Sequence, residues 1–386
     1  MIYVGIDVAK RTHYACISSD KHGIITQPFP FENDESGFSK LRNSFKKYRK
    51  NDIIVGIEAT GVYGENLIAH LSELGYKIAL INPIETGTLR KRNVRKTKTD
   101  KIDSRGICKY LASEDYRLLQ PQELKMSQLR GLCRFRQNFK KSKSRLKTQL
   151  VQYLDVCFPE FHTLFSTIHG KGTYAVLMEF PSAQAVSKAN ITKLANLLEN
   201  ASRGKLKRER AEALKALAKH SVASKNADKD FQIKQTIVQI QLIESQLAEI
   251  EEQITKLYDE VDSVIKTVPG IGAINGSMIL SEIGDIKRFS KPKHLIAFAG
   301  LDPATSQSGQ WKANSTRMSK RGSPTLRYAL VNAAWNVSLN NDTFGEYYNE
   351  KLAQKGRHYI ALGHVAGKLT RVIHAMLKNN MEFDLP

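Results

Sequence analysis

The chain is short of acid. Its 386 residues hold 38 Asp and Glu against 59 Lys and Arg, a net charge of +21 with an isoelectric point near 9.7. A field of that sign attracts polyanions and speeds their encounter. Cysteine is scarce and scattered. Cys16, Cys108, Cys133 and Cys157 form no Cys-x-x-Cys pair, which argues against a zinc ribbon and a disulfide framework. Reduced thiols in a cytoplasmic protein are the simple expectation. No apolar stretch approaches the ~18–20 residues of a membrane span, and the cations lie in separate blocks, so no membrane partner is expected. No signal-peptide pattern precedes the first strand-like segment. Internal repeats and low-complexity segments are missing too.

What is present reads as two or three domains, at ~100–200 residues each. Residues 2–31 give three short strands, Ile2–Ile6, His13–Ser18 and Gly23–Phe31. Ser36–Tyr48 is an amphipathic helix on Phe38, Leu41 and Phe45. Strand Ile53–Ile57, helix Gly64–Leu74 and strand Lys77–Ile81 follow. The order β-β-β-α-β-α-β-α matches a ribonuclease H-like (RuvC-like) α/β fold, a mixed sheet flanked by helices. The continuous Ile and Val runs suit a sheet covered on both faces. After residue 103 the character turns helical. Ile233, Ile240, Leu247, Ile254 and Val261 recur every seven residues, with Ile243, Ile250 and Leu257 between them. That seam fits a coiled coil between chains or an antiparallel hairpin within one. Boundaries near 115 and 265 divide the chain into 1–115, a basic helical and coiled-coil region 116–265, and a mostly α segment 266–386.

Four carboxylates stand out. Asp7 ends the first apolar run and Glu58 the second, while Asp100 and Asp103 sit three apart in Lys98-Thr-Asp100-Lys-Ile-Asp103-Ser. Residues at i and i+3 share a helix face. Carboxylates held at strand ends and on one such face can converge on divalent cations, and Mg²⁺ prefers oxygen ligands. The turn Gly5-Ile-Asp-Val-Ala-Lys10 has another reading, the first phosphate turn of actin-like ATPases. That fold needs a second Asp-x-Gly turn and an adenosine-binding Gly-Gly, and neither is found.

The cations cluster. Arg90, Arg92, Arg95 and Lys96 lead into the acidic pair; Arg134, Lys140 and Lys141 belong to a second block; Lys205, Lys207, Arg208 and Arg210 form a third. Together they point to phosphate binding without base reading. Val268-Pro-Gly270-Ile-Gly272 resembles the hairpin of a helix-hairpin-helix element, whose glycines let backbone amides approach a phosphate. Between Asp302 and Asp342 no acid occurs, while Lys312, Arg317, Lys320, Arg321 and Arg327 do. A serine in the cationic loop Pro303–Gln310 could attack phosphorus; Ser308 beside Gly309 competes with Thr305, Ser306 and Ser315.

These motifs, in this order over nearly the whole chain, resemble the bridge-RNA-guided DEDD transposases of insertion sequences, recombinases related to the pilin gene invertase. The resemblance rests on Gly-Ile-Asp7-Val-Ala-Lys, Gly-Ile-Glu58-Ala-Thr-Gly, Lys-Thr-Asp100-Lys-Ile-Asp103-Ser, Val-Pro-Gly-Ile-Gly, Ala-Gly-Leu-Asp-Pro, Ser308-Gly and Ser-Lys-Arg-Gly-Ser-Pro-Thr-Leu-Arg327. Gln310-Trp311 departs from the family, which often has a second glycine or a basic residue there. The resemblance implies that Asp7, Glu58, Asp100 and Asp103 hold Mg²⁺ and that Ser308 forms a covalent phosphoserine link to DNA. It also implies a structured guide RNA, donor and target DNA, and a dimer or tetramer whose sites combine parts of different chains. A hydrolytic RuvC-like nuclease and a non-catalytic nucleic-acid-binding protein are the competing expectations.

Overall fold

The computed structural model describes residues 1–58, 62–81, 99–113, 116–165, 167–224, 227–304, 307–308, 311–312 and 317–384, without the side chains of 121, 122, 227, 307, 308, 311 and 312. Arg90, Arg92, Arg95 and Lys96 lie outside these residues, as do Thr305, Ser306 and Ser315. The chain forms two compact units, Met1–Leu124 and Lys125–Pro386.

The first unit runs β1 (Ile2–Asp7), β2 (Thr12–Ser19), β3 (Gly23–Glu32), α1 (Glu35–Phe45), β4 (Ile53–Glu58), α2 (Glu65–Glu73), β5 (Lys77–Ile81) and α3 (Asp100–Ser113). The sheet order is β3-β2-β1-β4-β5. β1–β2 and β2–β3 are antiparallel, whereas β1–β4 and β4–β5 are parallel. This mixed five-stranded sheet flanked by helices is consistent with a ribonuclease H-like fold.

Alternation along each strand sorts side chains to two faces. Ile2, Val4, Ile6, Ile53, Val55 and Ile57 pack into one core with Phe38, Leu41, Phe45, Leu67 and Leu71 from α1 and α2. Tyr3 and Ile54 face the opposite way, onto Ile107 and Leu111 of α3. α1 begins where Asp34 accepts the Gly37 amide at 2.8 Å, a side-chain cap for an orphan donor.

The second unit is mostly helical: α4 (Pro121–Cys157), α5 (Phe161–Leu164), α6 (Lys171–Glu179), α7 (Ala183–Lys188), α8 (Ile191–Ser202), α9 (Arg208–Lys219), α10 (Ala227–Asp259), α11 (Ala273–Ile283), α12 (Pro292–Ala299), α13 (Pro324–Asn340), α14 (Asp342–Lys355) and α15 (His358–Asn379). A two-strand ladder, β6 (Gln307–Ser308) with β7 (Trp311–Lys312), lies between α12 and α13.

The apolar seam of α10 is used inside the chain. Ile233, Ile237 and Ile240 share one core with Leu150, Leu154 and Cys157 of α4. Ile250, Ile254 and Tyr258 share another with Leu129 and Cys133. Ion pairs Lys125–Glu260 (2.9 Å), Arg136–Glu251 (2.6 Å) and Lys143–Glu244 (2.8 Å) descend in opposite directions along the two segments. Within the chain, the seam of α10 thus packs antiparallel against α4, with α5–α9 between them in sequence.

Candidate active site

In the first unit, a glycine groove sets the acidic edge. Gly5 and Gly56 lie side by side in the β1–β4 register. A Cβ on Gly5 would stand 2.4 Å from the Ser104 carbonyl oxygen and 2.6 Å from the Cys108 nitrogen; one on Gly56 would stand 2.7 Å from Leu111 Cδ1. Only glycine lets α3 settle this low on the sheet. Cys108 completes the seat: its Sγ accepts the Gly5 amide at 3.1 Å and donates to the Cys16 carbonyl at 3.0 Å. The hydrogen bond with Cys16 and burial both push this thiol well above its ordinary pKa, so it stays a neutral donor.

Two residues beyond each glycine, alternation returns the side chain to the same face. Asp7 and Glu58 thus lie on the α3 side, at the carboxyl ends of adjacent parallel strands. α3 runs with Ser104 over Gly5, so its first turn, bearing Asp100 and Asp103, points to that edge. Thr99 starts the helix: its Oγ1 accepts the Ile102 amide at 3.3 Å and its carbonyl the Asp103 amide at 3.0 Å. Glu58 is 7% exposed and Asp103 4%, while Asp7 is half-buried and Asp100 exposed. Among the described residues, no three His, Cys, Asp or Glu side chains come close enough to hold a metal ion. The fold brings the four acids to one edge without closing them on a point. Their donors are all carboxylate oxygens, which fit a hard divalent cation.

His13 braces the turn after Asp7. It is fully buried, and its Nδ1 accepts the Ala9 amide at 3.1 Å. Burial lowers its pKa, favouring the neutral ring that this acceptor role needs. No motif in the sequence pointed to it, although a lone histidine in the apolar β2 was a signal.

In the second unit, the loop that carries Ser308 rises from a bonded base. The Ala304 amide donates to the Arg317 carbonyl (2.7 Å) and the Ser319 amide to the Asp302 carbonyl (2.8 Å), while Ser319 Oγ donates to Asp302 Oδ1 (2.5 Å). Arg327 Nη1 reaches the carbonyls of Ala299 and Lys320, each at 3.1 Å. Gly300, at φ +66°, ends α12; a Cβ there would sit 2.4 Å from the Arg321 carbonyl oxygen. The Ala-Gly-Leu-Asp-Pro and Ser-Lys-Arg-Gly-Ser-Pro motifs are the two sides of this base. The backbone of Ser308 pairs with Trp311; its side chain and that of Lys312 lie outside the described residues. Arg317, Lys320 and Arg321 are exposed.

Other basic residues divide. Lys140 and Lys141 are exposed on α4. Arg134 instead grips Glu282 through Nε (2.6 Å) and Nη2 (3.1 Å). Glu282, with a side chain 1% exposed, also accepts from Ser323 Oγ at 2.8 Å. Burial alone would raise this carboxyl's pKa, but the hydrogen bonds from Arg134 and Ser323 outweigh it and hold the pKa below 4.5. Gly270, at φ +84°, packs against the Asn336 backbone, where a Cβ would stand 2.7 Å from carbonyl atoms. Gly272 faces open space at the start of α11, which keeps the approach a phosphate contact needs.

Comparison with known proteins decides the family. A DEDD transposase model of the IS110 type matches residues 4–159. A second model, "Transposase IS116/IS110/IS902 family", matches residues 262–349. The chain belongs to the IS110 family of transposases. The pilin gene-inverting proteins of Moraxella bovis and Moraxella lacunata are each 25% identical over 386 residues, 99% of this chain and 97% of theirs. The transposase for insertion sequence element IS1328 of Yersinia enterocolitica is 23% identical over 377 residues, 96% of this chain and 94% of its own. This IS110-family member is a DNA strand-cleaving enzyme that binds DNA, and its DEDD class implies a divalent metal. Among the described residues no helix is long and apolar enough to cross a membrane.

Proposed function

We propose that this transposase cuts and rejoins DNA through a phosphoserine link formed by Ser308, with Asp7, Glu58, Asp100 and Asp103 holding Mg²⁺. The observation that carries the acidic half is the Gly5–Gly56 groove. It seats α3 low against β1 and β4, which supports a shared edge for Asp7, Glu58, Asp100 and Asp103. Bound there, Mg²⁺ supplies charge neutralisation at a scissile phosphate. Buried Glu58 and Asp103 present fixed oxygens, while exposed Asp100 meets the solvent side.

Ser308 supplies the nucleophile. Its Oγ forms a bond to phosphorus as the bond to the departing DNA hydroxyl breaks, and the serine proton passes to that leaving oxygen through solvent. One phosphodiester replaces another, so attack by a new DNA hydroxyl rejoins strands without added energy. Exposed Arg317, Lys320 and Arg321, with Lys312, offset phosphate charge nearby, while Arg327 and Asp302 keep the loop base in shape. Lys140, Lys141 and Gly272 extend the phosphate contacts, and so do Arg90, Arg92, Arg95 and Lys96. Arg134 and Gly270 contribute through packing.

In this reading residues 1–115 form a RuvC-like catalytic domain, 116–265 a basic helical region and 266–386 a transposase domain with a helix-hairpin-helix element at Val268–Gly272. A structured RNA encoded by the element selects donor and target DNA in the bacterial cytoplasm. Two or four copies assemble so that acids and serine come from different chains. The motif order supports these last points.

Strand cleavage with and without Mg²⁺, in wild type and in Glu58→Gln, tests the metal assignment. Cleavage lost in the variant with duplex binding retained supports it. Equal metal-dependent cleavage in both proteins removes Glu58 from the site.

A further inference from the structure

An aromatic cluster on the second unit plays no part in the chemistry above. Trp335 of α13, Tyr348 of α14, and His358 and Tyr359 of α15 come together from three helices. Ring centroids lie 5.1 Å apart for Trp335–His358, 5.5 Å for Trp335–Tyr348, 5.8 Å for Tyr348–His358 and 5.0 Å for His358–Tyr359. The Tyr348 hydroxyl and His358 Nδ1 are hydrogen-bonded at 2.7 Å. Such locking fixes the rings in advance, so a ligand that stacks on them pays little side-chain entropy.

The cluster is open to solvent. Tyr359 is 79% exposed and Trp335 37%. Tyr328, seven residues before Trp335 on the same face of α13, and Leu339, four after it, are exposed as well. Contiguous exposed apolar surface of this kind marks a place where something binds.

The surrounding charge narrows what binds. No acid occurs on α13. On α14, Lys355 lies seven residues from Tyr348 and shares its face. Glu346 and Glu350 lie two residues to either side of Tyr348, about 200° around the helix at 3.6 residues per turn. Arg357, next to His358, is exposed, as is Lys355. Rings bordered by cations suit a polyanion that also offers flat apolar faces. Unpaired nucleotides meet both demands, because every base has a π-face and every link a phosphate. A closed duplex hides its base faces.

We infer that Trp335, Tyr348, His358 and Tyr359 form a stacking surface for unpaired nucleotides. The inference rests on the chain acting on DNA, as its family does, and adds which form of nucleic acid this face takes.

The test uses the full chain with labelled oligothymidine and, separately, a blunt duplex of equal length, at one salt concentration. Tyr359→Ala is an exposed substitution that leaves the fold intact. Its single-strand affinity falls about 5- to 150-fold, while duplex affinity changes less than about twofold. Tyr359→Phe restores single-strand binding, since the ring and not the hydroxyl carries the effect. The chain has two tryptophans, Trp311 and Trp335, so Trp311→Phe isolates emission from Trp335. Oligothymidine quenches that emission; duplex does not. Unchanged single-strand affinity in Tyr359→Ala, equal weakening of both ligands, or absent quenching on saturating oligothymidine each overturns the stacking surface. So does a self-association lost in Tyr359→Ala, which would make the face a contact between copies. A wild-type chain that binds neither ligand overturns the DNA reading itself.

Discussion

The amide of Gly5 donates to the sulfur of Cys108 at 3.1 Å, across 103 residues of sequence. This contact pins α3 to the centre of the sheet. Together with the Gly5–Gly56 groove it sets the height of α3 beside Asp7, two residues past Gly5, and of Asp103, five before Cys108.

Gly5→Ala forces a methyl group onto the backbone of Ser104 and Cys108. Overpacking against backbone costs about 1–3 kcal/mol, so thermal unfolding shifts down. Because α3 must lift, cleavage falls further than stability alone explains. A melting curve paired with a cleavage assay below the melting point separates the two effects. Wild-type cleavage in a folded Gly5→Ala would dissociate the groove from the site.

Asp103→Asn and Asp100→Asn remove one charge each from α3. Both weaken the dependence of cleavage on Mg²⁺, Asp103→Asn more strongly, because a buried carboxylate is the more rigid ligand. A loss of several kcal/mol of charge stabilisation corresponds to roughly a hundredfold or more in rate. Titrating Mg²⁺ in each variant measures this; identical curves for wild type and Asp103→Asn exclude Asp103 as a ligand.

The buried Glu282 sets a pH dependence. Its folded pKa is below the ordinary 4.5. A carboxyl depressed on folding adds stability above its unfolded pKa and loses it as pH falls through the folded value. The second unit therefore loses stability on acidification below about pH 4.5, and Glu282→Gln flattens that slope. Arg134→Ala leaves a buried acceptor short of its partner, at a cost of about 1–3 kcal/mol at neutral pH. Denaturant melts across pH check both.

Arg327→Ala removes the Nη1 group that donates to the carbonyls of both Ala299 and Lys320, leaving two acceptors of the loop base without that donor. The loop base loosens, so yield of DNA-linked protein drops about tenfold or more, while duplex affinity stays within about twofold. Parallel adduct and binding assays check this; equal adduct yield makes the clamp irrelevant to the loop.

Much of the first unit was legible in the sequence. The apolar runs locate β1 and β4, whose buried parallel pairing suits continuous Ile and Val, and the turn residues help place the others, all five to within about two residues. The acids at strand ends were visible for the same reason. The glycines before them were not read as a pair. Their meaning depends on the β1–β4 register and on a helix 100 residues away, and no local pattern carries that. The heptads of α10 were plain, but period alone does not tell whether a seam faces α4 or another chain. Arg134 looked like a phosphate ligand from charge alone. Its partner Glu282 is a single acid inside the apolar helix Ile279-Leu280-Ser281-Glu282-Ile283, and an acid placed so is usually held by something.

The most direct measurement is a denaturing gel for protein covalently joined to DNA. Wild type, Ser308→Ala and Asp7→Ala are incubated with Mg²⁺, element-end DNA and RNA transcribed from the element's flanks. The account predicts a shifted, protease-sensitive band in wild type alone, with DNA binding retained in all three proteins. Cleaved DNA without that band, in equal amounts with and without Ser308, would contradict it and make this transposase a hydrolytic nuclease at its carboxylate edge.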